Sequence, residues 1–180
     1  MKTKSVLLAI LTSLLLLVGC SNDDDNVQTE QIPDLINPTF PEAKQQVMET
    51  FGAIAQSITA GAGNGANGMH LDQLISFHAY GPKFTEFNDG HTFDSAGNEA
   101  NERMLFGETV DPGGVVKFAP VDGTLKVAVY GNVANLTFTS DFHLMINGEL
   151  HIVNNLITLL FVNTPDGWKM VHEHHSPLSN

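Results

Sequence analysis

Cysteine and positive charge are both scarce in this chain. One Cys in 180 residues excludes a disulfide framework and any CxxC metal or redox site. A single Arg, and eight Lys+Arg against 20 Asp+Glu, give a net charge of -12. No basic patch can form for a phosphate backbone, so nucleic acid is excluded as a partner. Long apolar runs are missing too. The longest, Val6–Val18, is broken by Thr12 and Ser13 and is too short to span a bilayer. What remains is 42 % apolar and 16 % charged, a balance that can bury the core of one domain.

The first residues read as a targeting segment. Lys2 and Lys4 precede the apolar run, as in a secretory signal. It ends in Leu17-Val18-Gly19-Cys20, which resembles the lipobox of bacterial lipoproteins. The resemblance implies cleavage after residue 19, lipidation of Cys20, and a place in the bacterial cell envelope, anchored by lipid at the outer membrane. Residues 20–38 hold Asp23, Asp24, Asp25, Glu30 and Asp34 with no basic residue, and read as an acidic tether extended by self-repulsion. The domain is expected over residues 39–180.

Its elements follow from periodicity. Val47, Phe51, Ile54 and Ile58 fall on one face of a helix over Pro41–Ala60, with Thr39 and Glu42 at capping-box spacing. The segment Gly61–Gly68 stops that helix. No strand precedes it and no Lys-Ser/Thr follows, so it reads as a flexible loop rather than a phosphate cradle. A short helix is expected over His70–Ala79, a strand over Lys83–Phe87 and a third helix, with Arg103, over Ser95–Phe106. From Val115 the period becomes two. Strands are expected over Val115–Ala119, Leu125–Tyr130, Val133–Leu144, Leu150–Val162 and Trp168–His174, with hairpin chemistry at Asn147-Gly148. Helices first and an antiparallel meander last make the fold class α+β.

The ending Asp166-Gly167-Trp168-Lys169-Met170-Val171-His172-Glu173-His174-His175-Ser176 resembles the closing strand of SnoaL-like proteins, in the nuclear transport factor 2-like (NTF2-like) superfamily. His78–Gly90 resembles the passage from the second helix into the first strand, and Val127–Thr137, with small Ala134 after its turn, fits as well. The resemblance implies an NTF2-like cone, with N-terminal helices packed on a curved antiparallel sheet round a pocket. It also implies a homodimer formed through the outer sheet face.

A hairpin centred on Asn147-Gly148 sets Leu144 opposite His151, His143 opposite Ile152 and Asp141 opposite Asn154. One face then carries Leu136, Phe138, Phe142, Leu144, Val153, Ile157, Leu159 and Phe161. The other carries Thr137, Thr139, Asp141, His143, Asn154, Thr158, Leu160 and Val162, polar at one end and apolar at the other. If Val162 pairs with Trp168, that second face gains Trp168, Met170, His172 and His174. Asp141, Asn154, Thr158, Trp168, His172 and His174 would then line a pocket. A one-residue slip would send both histidines to the opposite face.

His172 and His174 are candidate acid–base groups, oriented by Asp141. The same three side chains could offer three metal ligands, but no metal or organic cofactor is expected. In isomerase-like relatives a carboxylate near the first strand is the base, which makes Glu86 and Asp89 weaker candidates. The expected function is a membrane-anchored module that binds a small, partly apolar molecule in the cone. The alternative is a cofactor-independent isomerase, cyclase or dehydratase using His and carboxylate chemistry. A carboxylate or His facing the cavity with a positioned partner would favour the enzyme.

Overall fold

The computed structural model describes residues 33–178. Cys20, the signal segment and most of the acidic tether lie outside the described residues. Helix α1 spans Pro41–Gly61 and α2 spans Met69–Ser76. Strands β1 (Thr85–Asn88) and β2 (His91–Phe93) form a hairpin, and α3 covers Ser95–Met104. A π-helical turn, Leu105–Thr109, extends α3. The meander follows as β3 (Val115–Pro120), β4 (Lys126–Tyr130), β5 (Val133–Ile146), β6 (Glu149–Ile152), β7 (Asn155–Thr164) and β8 (Gly167–Pro177). Among the described residues, no helix is long and apolar enough to cross a membrane.

Three helices pack on a curved, unclosed sheet, the α+β cone expected from the sequence. The strand order is β2-β1-β8-β7-β5-β3, with β4 and β6 also paired to β5. The sheet is mixed rather than wholly antiparallel, because β1 runs parallel to β8. Parallel neighbours need a long connection, and everything from β2 to β7 lies between β1 and β8 in the chain. Strand β5 is the spine. Its fourteen residues pair with β4 and β3 along one edge and with β6 and β7 along the other.

Val47, Phe51, Ile54 and Ile58 of α1 are buried against Leu136, Phe138, Leu159 and Phe161 of the sheet. Each such side chain contributes about 1.5–3 kcal/mol by leaving water. The capping box does not form. Phe40 is the N-cap residue, with no side-chain cap bond, and Pro41 occupies the first turn, where a missing N–H costs nothing. The single strand expected over Leu150–Val162 is two strands interrupted at Val153-Asn154. Buried Ser140 spans the break, accepting from the Asn155 N–H at 2.9 Å and donating to the Val153 carbonyl at 3.4 Å. The register against β5 is therefore the same on both sides of it.

The loop after α1 docks on the π-helical turn. Gly63 N–H donates to the Phe106 carbonyl at 2.7 Å, and Gly65 N–H to the Gly107 carbonyl at 2.9 Å. A Cβ on Gly107 would stand 2.7 Å from backbone atoms of Ala66, so only glycine permits this approach.

Candidate functional site

Strand β8 holds the decisive irregularity. Phe161 pairs with Met170, yet Leu160 pairs with His172, so Val171 is an extra residue on β8. This β-bulge inverts the alternation beyond it. Trp168 and Met170 face the helices, and so do Glu173 and His175, which pair with Leu159 and Ile157 of the buried face. His172 and His174 face outward with Thr158 and Leu160.

The histidines thus share a face with Thr158 and Leu160 as expected, but the expected pocket does not assemble, because that face is the outer one and the cavity lies on the face of Phe138, Ile157 and Leu159. His172 lies beside Thr85, its Nδ1 2.9 Å from the Thr85 carbonyl oxygen, and Phe87 packs edge-on against His172 and His174. Thr158 pairs with His174 on that outer face. Asp141 pairs with Lys117 and, at 2.7 Å, with His143, away from the cavity. Asn154 accepts from the Phe142 N–H at 3.4 Å, and it is the next residue, Asn155, that reaches the cavity. Trp168 is buried against α1, donating to Gln46 Oε1 at 3.2 Å. Asp89 is exposed in the β1–β2 turn with a φ of 47°. Of the weaker candidates only Glu86 lies inside, 1 % exposed.

A cavity of about 280 Å³ lies between the helices and the concave sheet. That is nearly twice the ~150 Å³ that holds a benzene. Its long wall is a run of phenylalanines. Phe138 and Phe118 flank Phe51 at 5.1 and 6.3 Å, and Phe142 continues the run, 4.8 Å from Phe118 and 6.1 Å from Phe106. One end is polar, with His78, Asn88, Glu102, Asn155, Glu173 and His175 among its lining.

Parallel pairing sets Glu86 directly beside Glu173. Two buried carboxylates as neighbours repel unless donors intervene. Asn98 of α3 supplies them, its Nδ2 donating to Glu86 Oε2 at 2.8 Å and lying 3.4 Å from Glu173 Oε1. Asn88 Nδ2 donates to Glu86 Oε1 at 3.0 Å, and the Tyr80 hydroxyl donates to Asn98 Oδ1. His78 Nε2 is 2.8 Å from Glu173 Oε1, and His175 Nε2 is 3.4 Å from Glu173 Oε2. His78 Nδ1 also meets an acceptor, the Leu74 carbonyl, at 3.1 Å. Both ring nitrogens of His78 therefore lie against an oxygen acceptor.

The electrostatics split the carboxyl groups. Burial pushes Glu173 upward, but the hydrogen bonds and charges of His175 and His78 outweigh it and hold this carboxyl well below the usual range. Burial works against a charged His175, yet the Glu173 hydrogen bond and charge leave its pKa raised above 6.5. Glu102 has no such help. Burial, then the charges of Glu173 and Glu86, push its carboxyl well above 4.5. Its Oε2 is sealed from solvent and has no hydrogen-bond partner among the described residues. Tyr80 is likewise pushed up, first by burial and then by Glu102 and the other glutamates.

Helix α3 places Asn98, Asn101 and Glu102 on one face at i, i+3 and i+4. Asp94 caps it, accepting the Gly97 N–H at 2.9 Å. Arg103 fastens its other face by bonds to Glu99 at 3.0 Å, Asp72 at 2.9 Å and the Ala66 carbonyl at 2.9 Å. A readable signal lay here. The segment SAGNEANERM has no apolar stripe, so a helix formed from it must turn a polar face to whatever it covers. Among the described residues, no group of three His, Cys, Asp or Glu side chains is arranged to hold a metal ion.

Comparison with known proteins agrees with this architecture. A SnoaL-like domain model matches residues 71–180. No curated protein matches the chain in sequence. Among solved structures, an NTF2-like superfamily protein from Salmonella enterica superposes with a TM-score of 0.63 at 19 % identity, over 78 % of this chain and 94 % of its own. A candidate dehydratase of the NTF2-like family from Streptomyces avermitilis gives 0.63 at 20 % identity, over 78 % of this chain and 100 % of its own. A candidate calcium/calmodulin-dependent protein kinase II association domain from Xanthomonas campestris gives 0.57 at 15 % identity, over 76 % and 88 %. At these identities the structures show the fold alone. The family model spans more than half of the sequence, and with it the chain belongs to the SnoaL-like family.

Proposed function

We propose that the protein is a cofactor-independent acid–base enzyme acting on a small, mostly apolar molecule, in the manner of a dehydratase or isomerase. One observation carries this reading: His175 and its positioned partner Glu173 both face an apolar cavity. A module that only bound its ligand would need the cavity without the dyad. The name carried by the Streptomyces avermitilis relative favours the same class.

With Nε2–H donating to Glu173, the free lone pair of a neutral His175 sits on Nδ1. In a dehydration, His175 takes the proton from the carbon next to a carbonyl. The C–O bond to the leaving hydroxyl breaks as the C=C bond forms. The same proton passes from the imidazolium to the departing oxygen, which leaves as water. The phenylalanine wall excludes solvent and holds the substrate body.

The test is dehydration of a β-hydroxy ketone bearing one phenyl ring, followed by absorbance of the conjugated enone. The base must be unprotonated, so the rate should rise with pH through a midpoint above 6.5. Glu173→Gln removes the charge that raises His175 and should move that midpoint down. Turnover that survives His175→Ala unchanged would sink the assignment.

We further propose that Cys20 anchors the chain by lipid in a bacterial envelope, and that a second copy covers the outer sheet face. Phe87 and Leu156 are exposed there.

A further inference from the structure

Two buried side-chain oxygens lack a hydrogen-bond partner among the described residues: Glu102 Oε2 and Asn155 Oδ1. Both residues line the cavity. A native fold rarely leaves such atoms orphaned, because a polar group taken from water without a partner is costly. Both are acceptors when Glu102 is ionised, so a bound molecule that completes them brings donors.

The charges narrow the class. Glu86 from β1, Glu173 from β8 and Tyr80 from the segment after α2 lie within reach of the Glu102 charge, and His78 and His175 line the same cavity. Both imidazoles are bonded to Glu173. Arg103, next to Glu102 in sequence, is turned outward to Asp72 and Glu99. No Lys or Arg is among the residues lining the cavity, and its remaining histidine, His151, is exposed. Both imidazoles thus serve Glu173, the amides of Asn88 and Asn98 serve Glu86, and Glu102 is the carboxyl group left with a free oxygen. An anionic ligand would meet net repulsion. A cation would meet a carboxylate at one end and the faces and edges of five phenylalanines along the wall, surroundings that suit a positive charge on a short apolar stem.

We propose that the cavity takes a small arylalkyl or alkyl amine as its ammonium ion, the ammonium against Glu102 and the apolar remainder along the phenylalanine wall. An ammonium group offers three donors and no acceptor, which is what the two orphaned oxygens lack. The inference rests on reading the cavity as a ligand site and names its ligand class. It leaves proton transfer to the His175–Glu173 dyad.

Calorimetric titration of the full chain with phenethylamine, phenethyl alcohol and phenylacetate tests this, since the three differ mainly in charge. The amine should bind roughly tenfold or more tighter than the alcohol, and phenylacetate weakest of the three. Glu102→Gln should bring amine and alcohol to within about twofold of each other. Alcohol or phenylacetate binding as tightly as the amine overturns the proposal, as does an amine preference that survives Glu102→Gln. Should that variant not fold, the order on the unaltered chain decides alone. Equal binding of amine and alcohol would remove only the ammonium and leave the ligand site standing. Binding of none of the three would remove both.

Discussion

The two faces of strand β8 carry the same kind of residue in opposite settings. Outward, His172 and His174 lie beside Thr85 and Phe87, with Thr158 and Leu160 across the ladder. Inward, Glu173 and His175 meet Glu86, Asn98 and His78 at the polar end of the cavity. The side chains are similar in kind, and the surroundings separate them. On the outer face water satisfies a histidine whatever its charge. On the inner face each proton position is fixed by a partner, and moving one partner alters the others. The proposed chemistry therefore uses the inner pair, although the outer pair is the one that its spacing from Trp168 brings forward.

Three variants would break or sharpen that contrast. The largest effect is expected at Glu173, whose carboxylate meets both His78 and His175. Glu173→Ala leaves buried groups without their partner and should cost about 3–5 kcal/mol in chemical denaturation at neutral pH. The sign with pH follows from its lowered pKa. This contribution is fully present above 4.5 and fades only as pH falls through the much lower folded value. A loss under about 1 kcal/mol would mean that the inner network is no stronger than a surface contact.

An intermediate effect of opposite sign is expected at Glu102. Its folded pKa is raised, so between 4.5 and that raised value the unfolded chain has released a proton that the folded chain keeps. Stability due to this group therefore falls as pH rises through that window. Glu102→Gln should raise the thermal midpoint at neutral pH, and the gain should vanish toward 4.5. Thermal melts of both proteins across that range measure it. A variant less stable at neutral pH would show that Glu102 is already satisfied in the empty site.

The smallest effect is expected on the outer face. The double change His172→Ala with His174→Ala removes contacts to Thr85 and Phe87 and should shift stability by no more than about 1 kcal/mol. Turnover of the β-hydroxy ketone should be unchanged. A loss of turnover comparable to that of His175→Ala would reverse the assignment of the two faces.

Much of the frame was legible. Val47, Phe51, Ile54 and Ile58 announce their helix because burying one stripe of a helix requires that spacing. Asn147-Gly148 announces its hairpin because Asn147 takes a φ of 54° and Gly148 one of 78°, conformations that few other residues accept. From that turn the register of β5 against β6 and β7 follows through to Val133. The site was less legible for a specific reason. Alternation pairs His172 and His174 with Leu160 and Thr158 but does not say which face of the sheet the helices cover, and nothing in the local composition of WKMVHEH marks the bulge at Val171 that sets Trp168 and Met170 on the opposite face from them. Helix α3 could be placed by its Asp94 cap, but its partner layer could not be named from its own residues.

Sequence by itself determined the α+β class, the helices and most of the strands, the hairpin register and the scarcity of positive charge. These depend on local backbone preferences and on periodicity, which neighbouring residues suffice to express. Tertiary structure decided which face of β8 meets the cavity, that Glu86 lies beside Glu173, and that Glu102 stands apart from every cation. Those depend on β1 meeting β8 across more than eighty residues of chain and on α3 covering both. A carboxyl group's proton affinity is set by what surrounds it in space, and sequence spacing does not record that.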